Sequence, residues 1–391
     1  MSNFFSNIIS QLTGSSGGDT AIGIDIGTSA IKIVQLKREN NKIKLDTYGA
    51  LALGPYADKY VGQETDLPIN TTVEALTDLL RESKTTTKQG GIAIPFSSAF
   101  MTVMEVPKLE DDEFEQMVPM EARKHVPTSL DEVSLDWTVI PKSQRSNNQR
   151  EKQEQEQKIE NKESDQSNGE ENNQVGEKVD VLMVAIRNDI VDRYKRVVSR
   201  AELDALFFEV EIFSTIRAVL PRETEPVLVL DMGAVVTKVY IIENGIVRKT
   251  HTVNRGSTDV TEAIAKELEV DMEAAEILKR GMTPEGQTKD RTAEVNEAAA
   301  TVFQPLLKEV NLFKKEYLQE HGELDRCVLV GGGVLFAGFE AMATEALSVP
   351  CKLANPFKDI SAPAFLENVL EGNGPEFAVA TGIALRRLNE E

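Results

Sequence analysis

"AIGIDIGTSAIKIVQL" at residues 21–36 and "VLVLDMGAVVTKVYII" at residues 227–242 align without a gap. In that alignment Asp25 falls on Asp231, Gly27 on Gly233 and Lys32 on Lys238. Each copy reads as a β-branched strand, a tight corner at Asp-x-Gly and a second strand. A polar turn, "KRENN" or "IENG", then leads into a third strand pattern, "KIKLDTYGALAL" or "IVRKTHTV". One three-stranded meander therefore occurs twice, an internal repeat that has to be read before any other element.

Working outward, helical periodicity follows in both halves. It covers "TTVEALTDLLRES" in the first half and "DVTEAIAKELEV", "DMEAAEILKRG" and the long "AEVNEAAATVFQPLLKEVNLFKKEYLQEH" in the second. Strand character returns at "RCVLVGGG". Strand clusters separated by helices in two similar halves predict an α/β protein whose two domains face each other across a cleft.

The 391 residues, 41% hydrophobic and 27% charged, are enough for two to four compact domains. A formal charge of -21 argues against a nucleic-acid tracker, which needs a positive field. Two cysteines, Cys327 and Cys351, are too few for a disulfide framework and fit a reducing cytoplasm. No apolar run approaches the roughly 18 residues needed to span a bilayer. The start "MSNFFSNIISQLTG" lacks the basic residues of a secretory signal. Its Phe4, Phe5, Ile8, Ile9 and Leu12 recur at helical spacing, which fits either a frayed end docked on the body or a short amphipathic helix. Residues 142–178 carry only Ile159 and Val175 as aliphatic residues and are expected to be a disordered loop inserted between the strand patterns "SLDWTVI" and "VDVLMVAI".

Two Asp-x-Gly corners facing one cleft have a definite chemistry. Each glycine lets backbone N–H groups approach an anion, and each aspartate, Asp25 and Asp231, offers an oxygen to a hydrated magnesium ion. The pair would clamp a magnesium-bound polyphosphate between Gly27 and Gly233. Thr28 and Ser29 add hydroxyl donors, and Lys32 adds charge if its side chain turns toward the phosphates. Asp-x-Gly is also a common turn, and one copy alone would carry little weight. "CVLVGGGVLFAGFEAMATEAL" supplies a third element: a strand, the glycines Gly331, Gly332 and Gly333, and a helix. In that layout bare backbone lies against an adenine or ribose, or simply packs closely. His125, His251 and His321 form no catalytic or metal cluster, and neither a serine–histidine–acid arrangement nor a Cys-x-x-Cys site is present.

In this order the three elements resemble the actin-like ATPase superfamily. The segments "GIDIGTSAIKIVQL", "MEVPKLEDDEFEQMVPMEARKHVPTSLDEVSLDWTVI", "VLMVAIRNDIVDRYKRVVSRAEL", "LDMGAVVTKVYIIENG" and "VLVGGGVLFAGFEAMATEAL" are similar to the PilM family of type IV pilus assembly, relatives of the division protein FtsA. The resemblance implies a bilobed actin-like fold, two ribonuclease H-like lobes around a nucleotide cleft with an inserted FtsA-type subdomain. Mapped here, residues 1–20 are a flexible tail, 21–98 the first lobe core and 99–190 the inserted subdomain. Residues 191–225 are a helix completing the first lobe, and 226–391 the second lobe with a helical subdomain at 261–324.

The resemblance also implies ATP and Mg2+ as ligands. The partner would be the cytoplasmic N-terminal tail of a PilN-type inner-membrane protein, with other platform and motor subunits beyond it. The chain would sit in the cytoplasm, peripheral to the inner membrane through its partners. Self-association stays open. In "NRGSTDVTEAIAKELEVDMEAAEILKRG" the family segment near Gly256 places Glu276 and Lys279 toward the nucleoside. One turn apart, they suit a ribose contact or a plain ion pair equally. Glu211 takes the place of a residue that orients the attacking water, and Asp231 joins it as the second catalytic candidate. The second corner departs from the pattern: Ala234, Val235 and Val236 precede Thr237, leaving few side-chain donors for a transferring phosphate and favouring binding over turnover. The rival readings are a sugar- or acyl-kinase-like phosphotransferase and an FtsA-like division scaffold. Against the latter, the end "TGIALRRLNEE" reads as the close of a packed core helix.

Overall fold

The computed structural model describes residues 19–108, 111–140, 178–221, 223–282 and 290–389. The N-terminal amphipathic pattern and nearly all of the polar run at 142–178 lie outside these residues. In chain order the first elements are β1 (Thr20–Ile26), β2 (Ala30–Glu39), β3 (Lys42–Ala52), α1 (Ile69–Glu82) and β4 (Gln89–Ile94). Next come β5 (Ala99–Pro107), α2 (Asp111–Ala122), β6 (Val133–Ile140) and β7 (Lys178–Arg187). They are followed by α3 (Asn188–Arg200), β8 (Asp204–Val210) and α4 (Glu211–Val219). The remainder is β9 (Val227–Met232), β10 (Thr237–Glu243), β11 (Ile246–Val253), α5 (Ser257–Leu268), α6 (Met272–Lys279), α7 (Thr292–His321), β12 (Arg326–Val330), α8 (Phe339–Leu347), β13 (Cys351–Leu353), α9 (Glu367–Asn373) and α10 (Ala378–Asn389).

The chain divides into two compact units. One is the segment 99–188, a three-stranded antiparallel sheet of order β5-β7-β6 whose one face packs on α2 through Met104, Val106, Phe114, Val118 and Met183. The strand patterns that flank the polar run pair directly, Thr138 facing Leu182.

The other unit holds the repeat. Its two five-stranded sheets have the same order, β3-β2-β1-β4-β8 and β11-β10-β9-β12-β13, each an antiparallel meander followed by two parallel strands. Parallel central strands need both faces covered, and β9 meets that need, since all six of its residues are buried. On the second sheet α5, α7 and α8 bury Ile264, Phe303, Leu306 and Phe339 against Leu228, Leu230 and Leu329.

Two expectations change here. Residues 191–225 are not one helix: the apolar run "DALFFEV" forms β8 between α3 and α4, because a buried aromatic and β-branched stretch after the turn at Glu202 completes the first sheet. Nor does the second lobe run to the C-terminus. Phe357, Phe377, Ala380 and Ala384 pack with Ala21, Val34 and Leu36, so the chain from about residue 355 returns to the first sheet. The reason is the nearly all-round burial of α10, which only a core helix between two layers can satisfy.

Candidate functional site

The two corners are built alike. At the first, Gly27 N–H donates to the Ala30 carbonyl at 3.0 Å and Asp25 stands opposite Lys32. At the second, Gly233 N–H donates to the Val236 carbonyl at 3.0 Å and Asp231 stands opposite Lys238. They differ in what their surfaces are committed to. The Thr28 and Ser29 carbonyls accept from Thr65 and Leu53, but their hydroxyls take no partner among the described residues, and Gly27 and Thr28 are exposed. The second corner is tied shut: Ser257 and Thr258 at the start of α5 donate to the Gly233 and Ala234 carbonyls. The Thr237 hydroxyl, fully buried, donates to the Arg255 carbonyl at 2.8 Å. Gly256 is the N-cap of α5, its N–H held by Asp259.

Charge is concentrated between the corners. The Lys238 ammonium lies 2.8 Å from a Glu211 carboxylate oxygen and 2.9 Å from one of Asp231. Glu211 opens α4 and its other oxygen accepts the Phe96 N–H at 2.6 Å. Burial opposes the charge on Lys238, yet the two carboxylates overcome it and hold the ammonium well above the ordinary lysine range. Asp25, half-buried, has no hydrogen bond or ion pair among the described residues. Burial pushes its carboxyl up to about 6, opposed by Lys32 and Lys238 and assisted by Glu211 and Asp231. Both corners therefore act on one electrostatic region.

The glycine loop after β12 joins them. Gly331 has φ +88° and donates to the Pro375 carbonyl at 2.9 Å; a Cβ there would stand 2.7 Å from an Asp231 oxygen and 2.4 Å from the Met232 carbonyl. Only glycine fits that seat. Gly333 is buried against Met232, while Gly332 stays exposed near Glu376. Glu376 in turn lies 3.7 Å from the Lys32 ammonium, linking the loop to the first corner.

Glu276 and Lys279 pair at 2.6 Å. Glu276 also accepts from Thr261 and Arg280, and Lys279 donates to the Thr261 hydroxyl and the Ser257 carbonyl. Burial opposes the charge on Glu276, but Lys279 leads its partners in keeping the carboxyl below its usual range; burial lowers Lys279. The pair faces Gly62, whose φ is +87° and whose Cβ would stand 2.7 Å from the Glu276 carboxyl carbon. So the 60–65 loop of the first lobe touches the helical part of the second.

Donor chemistry separates the two expected ligands. A polyphosphate fits the first corner, with free hydroxyls on Thr28 and Ser29, an exposed glycine backbone and Lys32 alongside. A metal ion shared by Asp25 and Asp231 does not fit as arranged, because Asp231 is already paired with an ammonium; among the described residues no group of three His, Cys, Asp or Glu side chains is placed to hold one. Behind the first corner a cavity of about 210 Å³ is lined by Ile26, Thr28, Leu53, Leu67, Arg193 and Tyr194, among others. A larger groove of about 620 Å³ between β3 and α1 includes no corner residue.

Sequence reasoning missed Lys238 as a site residue, although the repeat places it on Lys32. It also missed the Phe96 N–H, Gly62 and Glu376. For these no local signal exists, since each reaches the site from a loop far away in sequence.

The profile of the family described as type IV pilus assembly protein PilM matches residues 23–155 and 163–388. Among solved structures, a chain of a "PilM-PilN type IV pilus biogenesis complex" superposes with a TM-score of 0.74 at 23% identity, covering 96% of this chain and 100% of that one. The ethanolamine utilization protein EutJ from Carboxydothermus hydrogenoformans superposes with a TM-score of 0.52 at 15% identity, covering 96% and 93%. The actin-like fold is thus the architecture of this chain. No helix among the described residues is long and apolar enough to cross a membrane.

Proposed function

Because the chain belongs to the PilM family of type IV pilus assembly proteins, we propose that it is a nucleotide-binding scaffold of that machinery, one that holds ATP to set its form and turns it over weakly or not at all. The observation that carries this reading is the repeated corner, Asp25 opposite Lys32 and Asp231 opposite Lys238, on two sheets of identical order. Such a pair, joined by the Gly331 loop, offers a triphosphate an anion seat on one side and a closed wall on the other. Gly27, Thr28, Ser29 and Lys32 bind the phosphates, Gly332 lies open for the nucleoside, and the Gly62–Glu276 contact is the place where occupancy would alter the closure of the two lobes.

Weak or absent hydrolysis follows from the same geometry. Glu211, the candidate for orienting water, accepts both the Lys238 ammonium and the Phe96 N–H, and a carboxylate so engaged is a poor base. The corner that would face the γ-phosphate presents Ala234, Val235 and Val236. A phosphotransferase needs the opposite arrangement.

The partner in this reading is the short cytoplasmic tail of a PilN-type membrane protein, which would place the chain at the inner membrane without a lipid contact of its own. Likeness to the chain solved in the PilM-PilN complex supports it. Calorimetry on the full chain tests both halves. ATP is expected to bind the wild type and to lose at least about tenfold in affinity in Lys32→Ala, an effect of about 1.4 kcal/mol. A synthetic PilN-type tail is expected to bind with an affinity that changes when ATP is present. A tail that binds neither the ATP-loaded nor the ATP-free chain removes the scaffold reading.

A further inference from the structure

The second corner contains a feature that neither the repeat nor the fold requires. Lys238 is the copy of Lys32, yet the two lysines do different things. Lys32 is partly exposed and rests a loose 3.7 Å from Glu376. Lys238 is buried and bridges Asp231 and Glu211 at 2.9 and 2.8 Å. An ammonium there occupies Asp231, one of the two corner aspartates expected to share a divalent cation, together with Glu211, and it cannot leave. Three hydrogens radiate from its nitrogen; two are directed to the carboxylates and the third has no acceptor among the described residues.

The charge balance explains what this achieves. Glu211 and Asp231 both act on Asp25, and with three carboxylates unopposed the region would repel a polyphosphate until a metal ion screened it. Lys238 cancels one of those charges permanently. It does so where water is scarce and the interaction is strong, and it leaves one N–H for an anionic oxygen. Lys32 on β2, a loose 3.7 Å from Glu376, is a second cation that acts on Asp25 from the first corner.

We propose that Lys238 is the built-in counter-cation of this site, so that the pocket takes a nucleoside polyphosphate without needing a divalent metal. The proposal rests on the nucleotide reading given above, and departs from the usual expectation of a magnesium ion between the two corner aspartates. Lys238 acts on the ligand by direct charge and by holding Asp231 and Glu211, the latter anchored independently by the Phe96 N–H.

Two measurements on the full chain test it. In the first, ATP affinity is compared by calorimetry in excess EDTA and in excess Mg2+. The wild type and Lys238→Arg are expected to differ between the two buffers by no more than about threefold, whereas Lys238→Gln loses at least about tenfold in EDTA and recovers it with Mg2+. A wild type that loses more than about tenfold in EDTA overturns the proposal without reference to any variant. The second uses Mn2+ alone, followed by electron paramagnetic resonance of the free ion. Lys238→Gln, which frees both acids, is expected to bind Mn2+ at least about tenfold more tightly than the wild type or Lys238→Arg. Equal Mn2+ affinities in all three overturn the counter-cation role. This arm involves no nucleotide, so a chain that binds ATP in neither buffer defeats the nucleotide reading while Mn2+ still decides the place of Lys238. Circular dichroism and Lys238→Arg separate lost folding from lost charge.

Discussion

Lys238 and Glu211 meet at 2.8 Å, one from the strand after the second corner and the other from the first turn of α4. That contact ties the β9–β10 corner of the second lobe to the helix that closes β8 in the first. It is a buried ion pair with a second acid attached, so its removal strands charge instead of merely losing attraction.

Lys238→Met is therefore expected to cost about 3 kcal/mol at pH 7.5, the usual size when one partner of a buried pair is deleted. The sign with pH follows from the acids left behind. With the ammonium gone, the Glu211 and Asp231 carboxylates stand together with no cation between them, so the penalty is largest at high pH, where both are charged, and shrinks in acid. Urea denaturation at pH 7.5 and pH 5 checks this. A cost that stays constant between the two would show that lost packing, and not stranded charge, is the cause.

Asp25 makes the opposite trade. Its carboxyl has a folded pKa of about 6 against an ordinary 3.8, so charging it costs nothing below pH 4 and the full penalty above pH 6. The ceiling of that penalty is about 3 kcal/mol. Asp25→Asn should raise the thermal midpoint at pH 8 and leave it unchanged at pH 4. The same variant removes a carboxylate from beside the phosphate seat, so in EDTA it should hold ATP at least as tightly as the wild type. An unchanged midpoint at pH 8 would refute the burial argument.

How much of this was legible in the sequence depends on the range of each interaction. The corners were readable because Asp25, Gly27 and Lys32 repeat as Asp231, Gly233 and Lys238 within two strands of alternating β-branched residues, a purely local pattern. The helices α5 and α6 were readable for the same reason. The "DALFFEV" strand was not, because a short apolar run between helices has no period long enough to separate strand from helix. The return of α10 to the first sheet was equally hidden: "TGIALRRL" reads as a core helix, and nothing local says which core. Lys238 was visible as a copy of Lys32, but its pairing with Glu211 depends on a close approach of two lobes that no short window encodes.

Gly62 offers a test of the contact between lobes. At φ +87° any side chain is strained, by about 1 kcal/mol, and here a Cβ would also press on the Glu276 carboxylate. Gly245, in the β10–β11 turn at φ +74° with nothing within 4 Å, carries the backbone strain alone. Gly62→Ala is therefore expected to destabilise more than Gly245→Ala. It should also disturb the Glu276–Lys279 pair, so that ATP affinity falls in the first variant and not in the second. Equal effects of both variants on stability and on affinity would mean the loop moves aside freely.

The last prediction concerns how α10 is held to the first sheet. Glu209, on β8 and fully buried, accepts two hydrogen bonds of 2.7 Å from Arg217, one of 3.0 Å from Arg386 on α10 and one of 2.6 Å from Ser214. Arg386 also lies over the Phe207 ring at 4.3 Å. Burial alone would raise the Glu209 carboxyl, but Arg217 and Arg386 bring it below its usual range. A depressed folded pKa contributes stability above the unfolded value of 4.5 and loses it as the pH falls below that. Glu209→Gln keeps the shape and removes the charge, leaving two guanidinium groups with a neutral acceptor. It should cost about 3 kcal/mol at pH 7. The gap from the wild type should narrow as the pH falls below 4.5, because acid neutralises the wild-type residue too. Hydrogen exchange should show α10 opening first in the variant, since Arg386 is its polar anchor. If α10 stays as protected as in the wild type, its apolar face alone holds it, and the Glu209 cluster serves β8 and α4 only.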